Sequence, residues 1–429
     1  VRRAPTLAVL LGLAACGPDS GGSDSASRAT AAATAVSSVV PPTDPAPELP
    51  RPEGPVGIEF DRASGRLLVP EGREAPRPLE AGGPLPTEEL PRDPQPGVVF
   101  ELVLAPRDVP APPKASEVGT EGLAAAAKLT APVLKVSALP TGRLRMVVTS
   151  RAMPLAFGSE LRARHDRWGH VLVWPDATLA RPLPAGTLRA TLGERRVDAT
   201  PLVAGKLGEG PPGKRLGQPV RVVDVESPLG KLRLELASVP EAGLGGPLLC
   251  RALVELVGVD PSSPACRPDE LALAAAIAWV DGGGIDFVVR AVDKRTDLPV
   301  GEGLASPPGA ALTRDGLPDA ADGVYLTPTE LAVFRKKPIE LSPAPSAVRE
   351  GFVADNTRDA WMMLWLDGVP VVGVPAGAQR YVLGTLPGRY AAQWRSFLGD
   401  RVEPVELREL PGVLKLEPRR SASAGAPAA

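Results

Sequence analysis

This 429-residue chain is poor in histidine, cysteine and aromatic residues: two His, three Cys, and aromatics at 4%. The histidines sit five apart in Arg164-His165-Asp166-Arg167-Trp168-Gly169-His170. Zinc held on one helical face wants imidazoles at i and i+4, so no metal is expected here, and the stretch reads as a polar loop between strands. Neither a Gly-x-Ser-x-Gly elbow nor a Ser-x-x-Lys motif occurs, so the common nucleophile arrangements are missing. Carboxylate pairs can be drawn at will from 50 acidic residues; without geometry they define no hydrolytic dyad. Lys and Arg total 48 against those 50, a net charge of -2, and with no basic cluster nucleic acid is not an expected partner. No cofactor motif is present.

Proline and glycine are abundant, 52 and 45 residues. Both interrupt helices, which favours turns, short strands and extended linkers. The chain is long enough for two or three domains.

The start of the chain has a definite order. Arg2 and Arg3 precede an apolar run from Leu7 to Leu13, then come Ala14, Ala15 and Cys16. The run is too short to span a bilayer, which takes about 20 residues. Leu13-Ala14-Ala15-Cys16 resembles the lipobox of a bacterial lipoprotein signal peptide. The resemblance implies cleavage before Cys16, lipidation of its thiol, and a cell-envelope location with membrane lipid as the first partner. Gly17, where an Asp would mark retention in the inner membrane, resembles the pattern sorted to the outer membrane. If Cys16 carries lipid, Cys250 and Cys266 remain as one pair in an oxidising compartment, where a structural disulfide forms; two buried free thiols are the alternative reading.

The expected fold class is mainly β: a signal and tether, then two or three antiparallel β-sandwich-like modules with few short helices. Residues 1–15 are the signal. Residues 16–55, rich in Ser, Ala, Thr and Pro, cannot offset ordering entropy by burial and are read as a disordered tether. Residues 56–205 form a first β-rich module, with hairpin strands at Val56 to Phe60 and Arg66 to Val69, a buried strand at Val98 to Leu104, a helix around Leu123 to Leu129, and strands at Val133 to Val136, Arg143 to Val148, Val171 to Trp174 and Thr187 to Leu192. Residues 214–298 form a second, with hairpins at Val220 to Val225 with Lys231 to Leu236 and at Ala274 to Val280 with Ile285 to Val292, and a helix over Leu244 to Val257 that carries Cys250. Residues 299–349 are a Pro/Gly-rich linker with strands near Val324 to Leu326 and Leu331 to Phe334. Residues 350–412 form a small module and 413–429 a disordered tail.

That last module holds Phe352, Trp361, Trp365, Tyr381, Tyr390, Trp394 and Phe397, enough for an independent core. Trp361 to Gly373, with Asp367-Gly368 at its centre, and Pro387-Gly388-Arg389-Tyr390 resemble a PEGA-type surface module. The resemblance implies a small, non-catalytic, extracytoplasmic β-sandwich with positive φ at the Asp-Gly turn and again at Gly388. The strand Trp361 to Leu366 is apolar on both faces, the mark of a covered central strand. The competing reading makes Trp361, Trp365 and Trp394 an exposed platform that stacks on sugar rings or docks a partner. Asp315, Asp319 and Asp322 resemble the end of a thrombospondin type 3 calcium repeat, but Ala310 to Arg314 adds no oxygen ligands toward the six to eight that calcium needs. The expectation is a non-enzymatic, lipid-anchored structural or protein-interaction role. The alternative is a carbohydrate- or peptidoglycan-binding lipoprotein, and an envelope hydrolase stands well behind both.

Overall fold

A computed structural model describes residues 59–61, 66–68, 77–79, 85, 94–109, 120–194, 199–304, 306–319, 323–333 and 348–418, all within one compact unit, Gly57–Ala429. The lipobox stretch, Cys16 and the expected tether lie outside the described residues. The fold is mainly β with few short helices.

A short ladder, β1 (Glu59–Asp61) with β2 (Arg66–Leu68), pairs as the hairpin pattern predicts. A thirteen-stranded sheet follows. It contains β3 (Arg77–Pro78), β4 (Gln95–Pro106), β5 (Val133–Leu139), β6 (Arg143–Val148), β7 (Glu160–Arg164), β8 (Arg167–Val173), β9 (Leu179–Pro184), β10 (Lys206–Arg215), β11 (Gln218–Ser227), β12 (Gly230–Ser238), β13 (Glu270–Trp279), β14 (Gly284–Leu298) and β15 (Ala311–Leu312). The order is β10-β11-β12-β13-β14-β4-β5-β6-β7-β8-β9-β15, with β3 alongside β8. The stretches expected as two modules, 56–205 and 214–298, therefore share one sheet. What joins them is the antiparallel pairing of β4 with β14, from Ile285 opposite Pro106 to Leu298 opposite Gln95, residues 179 to 203 apart in sequence, a contact that no local pattern announces.

Residues between the expected modules form β10 itself. Pro211 and Pro212 cannot donate to a ladder, and the strand tolerates them because it is the sheet edge and its register shifts between Gly210 and Gly213. Thr187 to Leu192, expected as a strand, instead leads into one buried π turn, Ala190–Glu194.

Two helices lie between strands of this sheet in chain order. Helix α1 (Thr120–Thr130) ends before Pro132, and α2 (Gly246–Leu256) begins with Pro247 in its first turn, where a missing N–H costs nothing. Leu249, Leu253 and Leu256 of α2 are all buried. One end of α2 abuts Glu270 of β13 and the other reaches His170 of β8. These strands are six places apart, about 29 Å on a flat sheet, whereas the helix is about 16 Å long, so the sheet curls around it. The face toward α2 carries Leu144, Ala163, His170 and Leu183 in successive registers.

The opposite face is strapped by the segment expected as a linker. Arg162 donates to the carbonyls of Gly301 and Leu304, both at 2.9 Å. Arg145 bridges Glu160 at 2.5 Å and Glu302 at 2.9 Å. Desolvation pushes the Glu160 carboxyl up, but the hydrogen bond from Arg145 and the charge of Arg162 outweigh it and hold it below its ordinary range. Leu331 to Phe334 was expected as a strand; α3 (Pro328–Val333) is a helix there. Its cause is readable: Thr327 and Glu330 cap each other reciprocally, the Glu330 carboxylate accepting the Thr327 N–H at 2.7 Å and the Thr327 hydroxyl accepting the Glu330 N–H at 3.2 Å.

The C-terminal part is a β-sandwich. One sheet orders β16 (Phe352–Asn356) between β19 (Gln379–Val382) and β22 (Gly412–Leu416). The other orders β18 (Val369–Val374), β17 (Met362–Leu366), β20 (Gly388–Arg395) and β21 (Glu406–Leu410). The last strand pairs with β16 through Leu416, so ordered structure enters the stretch expected as tail. Asp367 and Gly368 have φ of 49° and 77°, the paired positive values of a tight hairpin turn. Gly388 does not share that geometry. It is already the first residue of β20, and the positive φ before this strand falls at Gly384, at 91°.

Candidate functional site

The tryptophans form no platform. Trp361, Trp365 and Trp394 are 5%, 1% and 7% exposed, because β17 is an inner strand paired with β18 on one side and β20 on the other and both faces are covered, Trp394 lying beside Leu414 and Leu416 of β22, Trp361 beside Tyr325 and Trp365 beside Arg395. Trp365 lies under the guanidinium of Arg395, 5.1 Å from its centroid. Gly373 allows this packing: a Cβ there would lie 2.3 Å from the Trp361 ring and 2.4 Å from the Tyr325 hydroxyl. Asn356 is fully buried and donates to the carbonyls of Ala360, Val374 and Pro375 at 2.7, 3.0 and 3.0 Å. It ties strand ends together and offers nothing to a ligand.

The histidines are structural as well. His165 sits in the β7–β8 turn against the Gly142 carbonyl, 3.4 Å away, whereas His170 lies within β8 and is buried beside Glu255, 3.8 Å away. Burial holds both imidazoles below their ordinary value, with Glu255 partly opposing it at His170 and Asp166 at His165. Glu255 accepts the N–H groups of Gly186 at 2.8 Å and Leu188 at 3.1 Å, fixing the turn after β9. The space between α2 and β8 is about 20 Å³, close to the room one water needs. Cys250 of α2 is bonded to Cys266, with Cα atoms 5.6 Å apart. Among the described residues no group of three or more His, Cys, Asp or Glu could hold a metal; Asp322 lies outside them. Also among the described residues, no helix is long and apolar enough to cross a membrane.

Two concavities lined by described residues bear on function. The first, about 670 Å³, lies where the sandwich meets the β13–β14 hairpin. Its charges answer one another: Arg189 pairs with Asp400 at 2.6 Å, and Arg401 with Glu194 at 2.8 Å. Trp279 donates to the Leu398 carbonyl at 2.8 Å beneath Arg189. Gly283 and Gly284 lie so close to Gly399 that a Cβ on Gly283 would stand 2.3 Å from the Gly399 carbonyl oxygen. This is the seam that fastens the sandwich to the sheet.

The second is a groove of about 880 Å³ between α1, α3, the ends of β5 and β6, and the loop before β7. Leu129, Tyr325 and Leu326 form a buried apolar floor, and Phe157, 61% exposed, stands at the mouth. The rim carries Lys128, Arg151 and Arg290 against one carboxylate, Glu330. Sequence reading missed this site because its residues come from five separate segments. The readable hints were the Thr-Pro-Thr-Glu start of α3 and a lone Phe157 in a Gly/Ser loop.

No protein family and no curated protein matches the chain. Solved structures give distant likenesses. A chain of the Pseudomonas aeruginosa MucA/MucB complex is 10% identical over 48% of this chain and 54% of its own length, at a TM-score of 0.23. MucB in complex with the periplasmic part of MucA is 8% identical over 70% of each chain, at 0.24. A LolA-superfamily protein from Nitrosomonas europaea is 11% identical over 49% of this chain and 89% of its own, at 0.20. This chain thus spans about half of the first of these. Scores this low do not establish a shared fold.

Proposed function

We propose that this chain is a lipid-anchored protein of the bacterial envelope whose work is to dock another protein, without catalysing a reaction. The observation that carries the docking is the groove between α1 and α3, with an apolar floor, an exposed Phe157 at its mouth and an excess of cations on its rim. Exposed aromatics over a desolvated pocket are where binding energy concentrates in protein interfaces. The anchoring reading rests on Leu13 to Cys16 and on the Cys250–Cys266 bond, which belongs to an oxidising compartment. Gly17 after the cysteine favours the outer membrane.

The test has two arms. Metabolic labelling with radioactive palmitate marks the protein in cells and leaves Cys16→Ala unlabelled; label persisting in the variant overturns the anchor. A photo-crosslinking residue in place of Phe157 captures a discrete adduct in intact cells, while the same residue in place of Leu216, exposed on the far β10–β11 turn, captures none. Identical adducts at both positions, or none at Phe157, sink the docking surface.

A further inference from the structure

We infer that the groove recognises an acidic peptide segment with an apolar anchor, a large aromatic or aliphatic side chain flanked by carboxylates; this rests on the docking role proposed above. The charge balance of the groove carries the inference. Three cations line it and one carboxylate, Glu330, answers them. That carboxylate is already committed to capping the Thr327 N–H, and Arg151 approaches it only to 3.8 Å. Lys128 pairs with no carboxylate among the described residues. Arg290 has Glu101 at 3.3 Å, with both side chains more than half exposed, and an exposed pair of this kind holds its partners weakly. All three cationic groups can therefore turn to an incoming carboxylate without a buried pair being broken.

The floor selects the rest of the ligand. Leu129, Tyr325 and Leu326 lie below and Phe157 projects at the side, so an apolar side chain entering there is covered while the charges remain at the rim. At about 880 Å³ the groove exceeds what one side chain fills and suits a short run of residues. Thr149, Ser150 and Thr329 interrupt the apolar lining. They suit a peptide backbone, with its regular donors and acceptors, better than a continuous acyl chain. The seam at Trp279 offers no such excess of cations, since its arginines are each paired with a carboxylate.

The probe is a short fluorescein-labelled peptide with one Phe between pairs of Glu, measured by fluorescence anisotropy against the full chain carrying Cys16→Ser to keep it in solution. Its counterparts replace every Glu by Lys, or the Phe by Ala. The acidic peptide is expected to bind at least about tenfold more tightly than the Lys peptide, the effect of roughly 1.4 kcal/mol, and to weaken as salt rises. Lys128→Glu with Arg151→Glu should remove that preference, and Phe157→Ala should weaken the acidic peptide several-fold. All three positions are exposed, so unchanged thermal melting is the control for folding.

Equal binding of acidic and basic peptides, or a preference untouched by the charge reversals, overturns the inference. So does salt-dependent binding of phosphatidylglycerol vesicles that the acidic peptide cannot displace, which assigns the cations to a membrane surface. Failure of the peptides while the Phe157 crosslink persists in cells refutes the ligand chemistry and leaves the docking role standing; loss of both refutes the two together.

Discussion

Trp365→Ala separates a packed sandwich from a ligand platform. The ring is 1% exposed on a strand hydrogen-bonded on both sides, with Arg395 stacked over it. Truncating a buried tryptophan costs about 3–5 kcal/mol in lost transfer energy and residual cavity. Loss of a desolvated cation–π contact pushes the cost toward the upper end. Arg395 aggravates the damage: it is fully buried, and burial already draws its guanidinium down to about 10, with Asp108 opposing. Against a typical stability of about 5–15 kcal/mol the loss is large. At about 2 °C per kcal/mol for a large cooperative unit, the melting midpoint should fall by roughly 6–10 °C. Calorimetry of wild type, Trp365→Ala and Trp365→Phe reads this directly, with Phe recovering much of the loss. Sedimentation with purified peptidoglycan is run on the same samples. A variant that melts like wild type but no longer sediments with the glycan would refute the packing argument and restore the platform.

Stability should fall as pH drops from about 7 to 5. The half-buried His165 and the buried His170 titrate below their ordinary value in the fold, so near pH 6.5 the unfolded chain takes up protons that the native state refuses; His170 alone contributes a slope of up to about 1.4 kcal/mol per pH unit. Urea midpoints at the two pH values check the sign, and a midpoint that rises on acidification contradicts it. Reducing Cys250–Cys266, which closes a loop of 16 residues in sequence separation, should lower stability by about 3 kcal/mol, seen as an earlier denaturation midpoint in reductant that is absent in a Cys250→Ala, Cys266→Ala double variant. Gly373→Ala should destabilise by about 1–3 kcal/mol through overpacking against Trp361 and Tyr325, whereas Gly377→Ala, with open space around it but φ of 65°, should cost about 1 kcal/mol from backbone strain alone; equal melting of Gly373→Ala and wild type contradicts the packing assigned to that position.

What the amino-acid order determined was local. Alternating apolar residues placed β11 and β12, the Asp367-Gly368 pair set a turn with two positive φ values, and Leu249, Leu253 and Leu256 fixed the buried stripe of α2. These features depend on neighbours within a turn or a hairpin, where spacing and steric preference suffice. The reciprocal cap of α3 is local in the same sense, whereas the sheet-edge position that lets β10 hold two prolines is not. Tertiary structure decided the remainder. Whether an apolar strand is covered or bare depends on what arrives on each of its faces, so the fate of Trp394 waited on β22, and that of Trp361 and Trp365 on Tyr325 and Arg395. The joining of two expected modules waited on β4 meeting β14, and the groove on Lys128, Phe157, Arg290 and Tyr325 being brought together. Long-range pairings of this kind are selected by total burial and closure, which no window of the sequence contains.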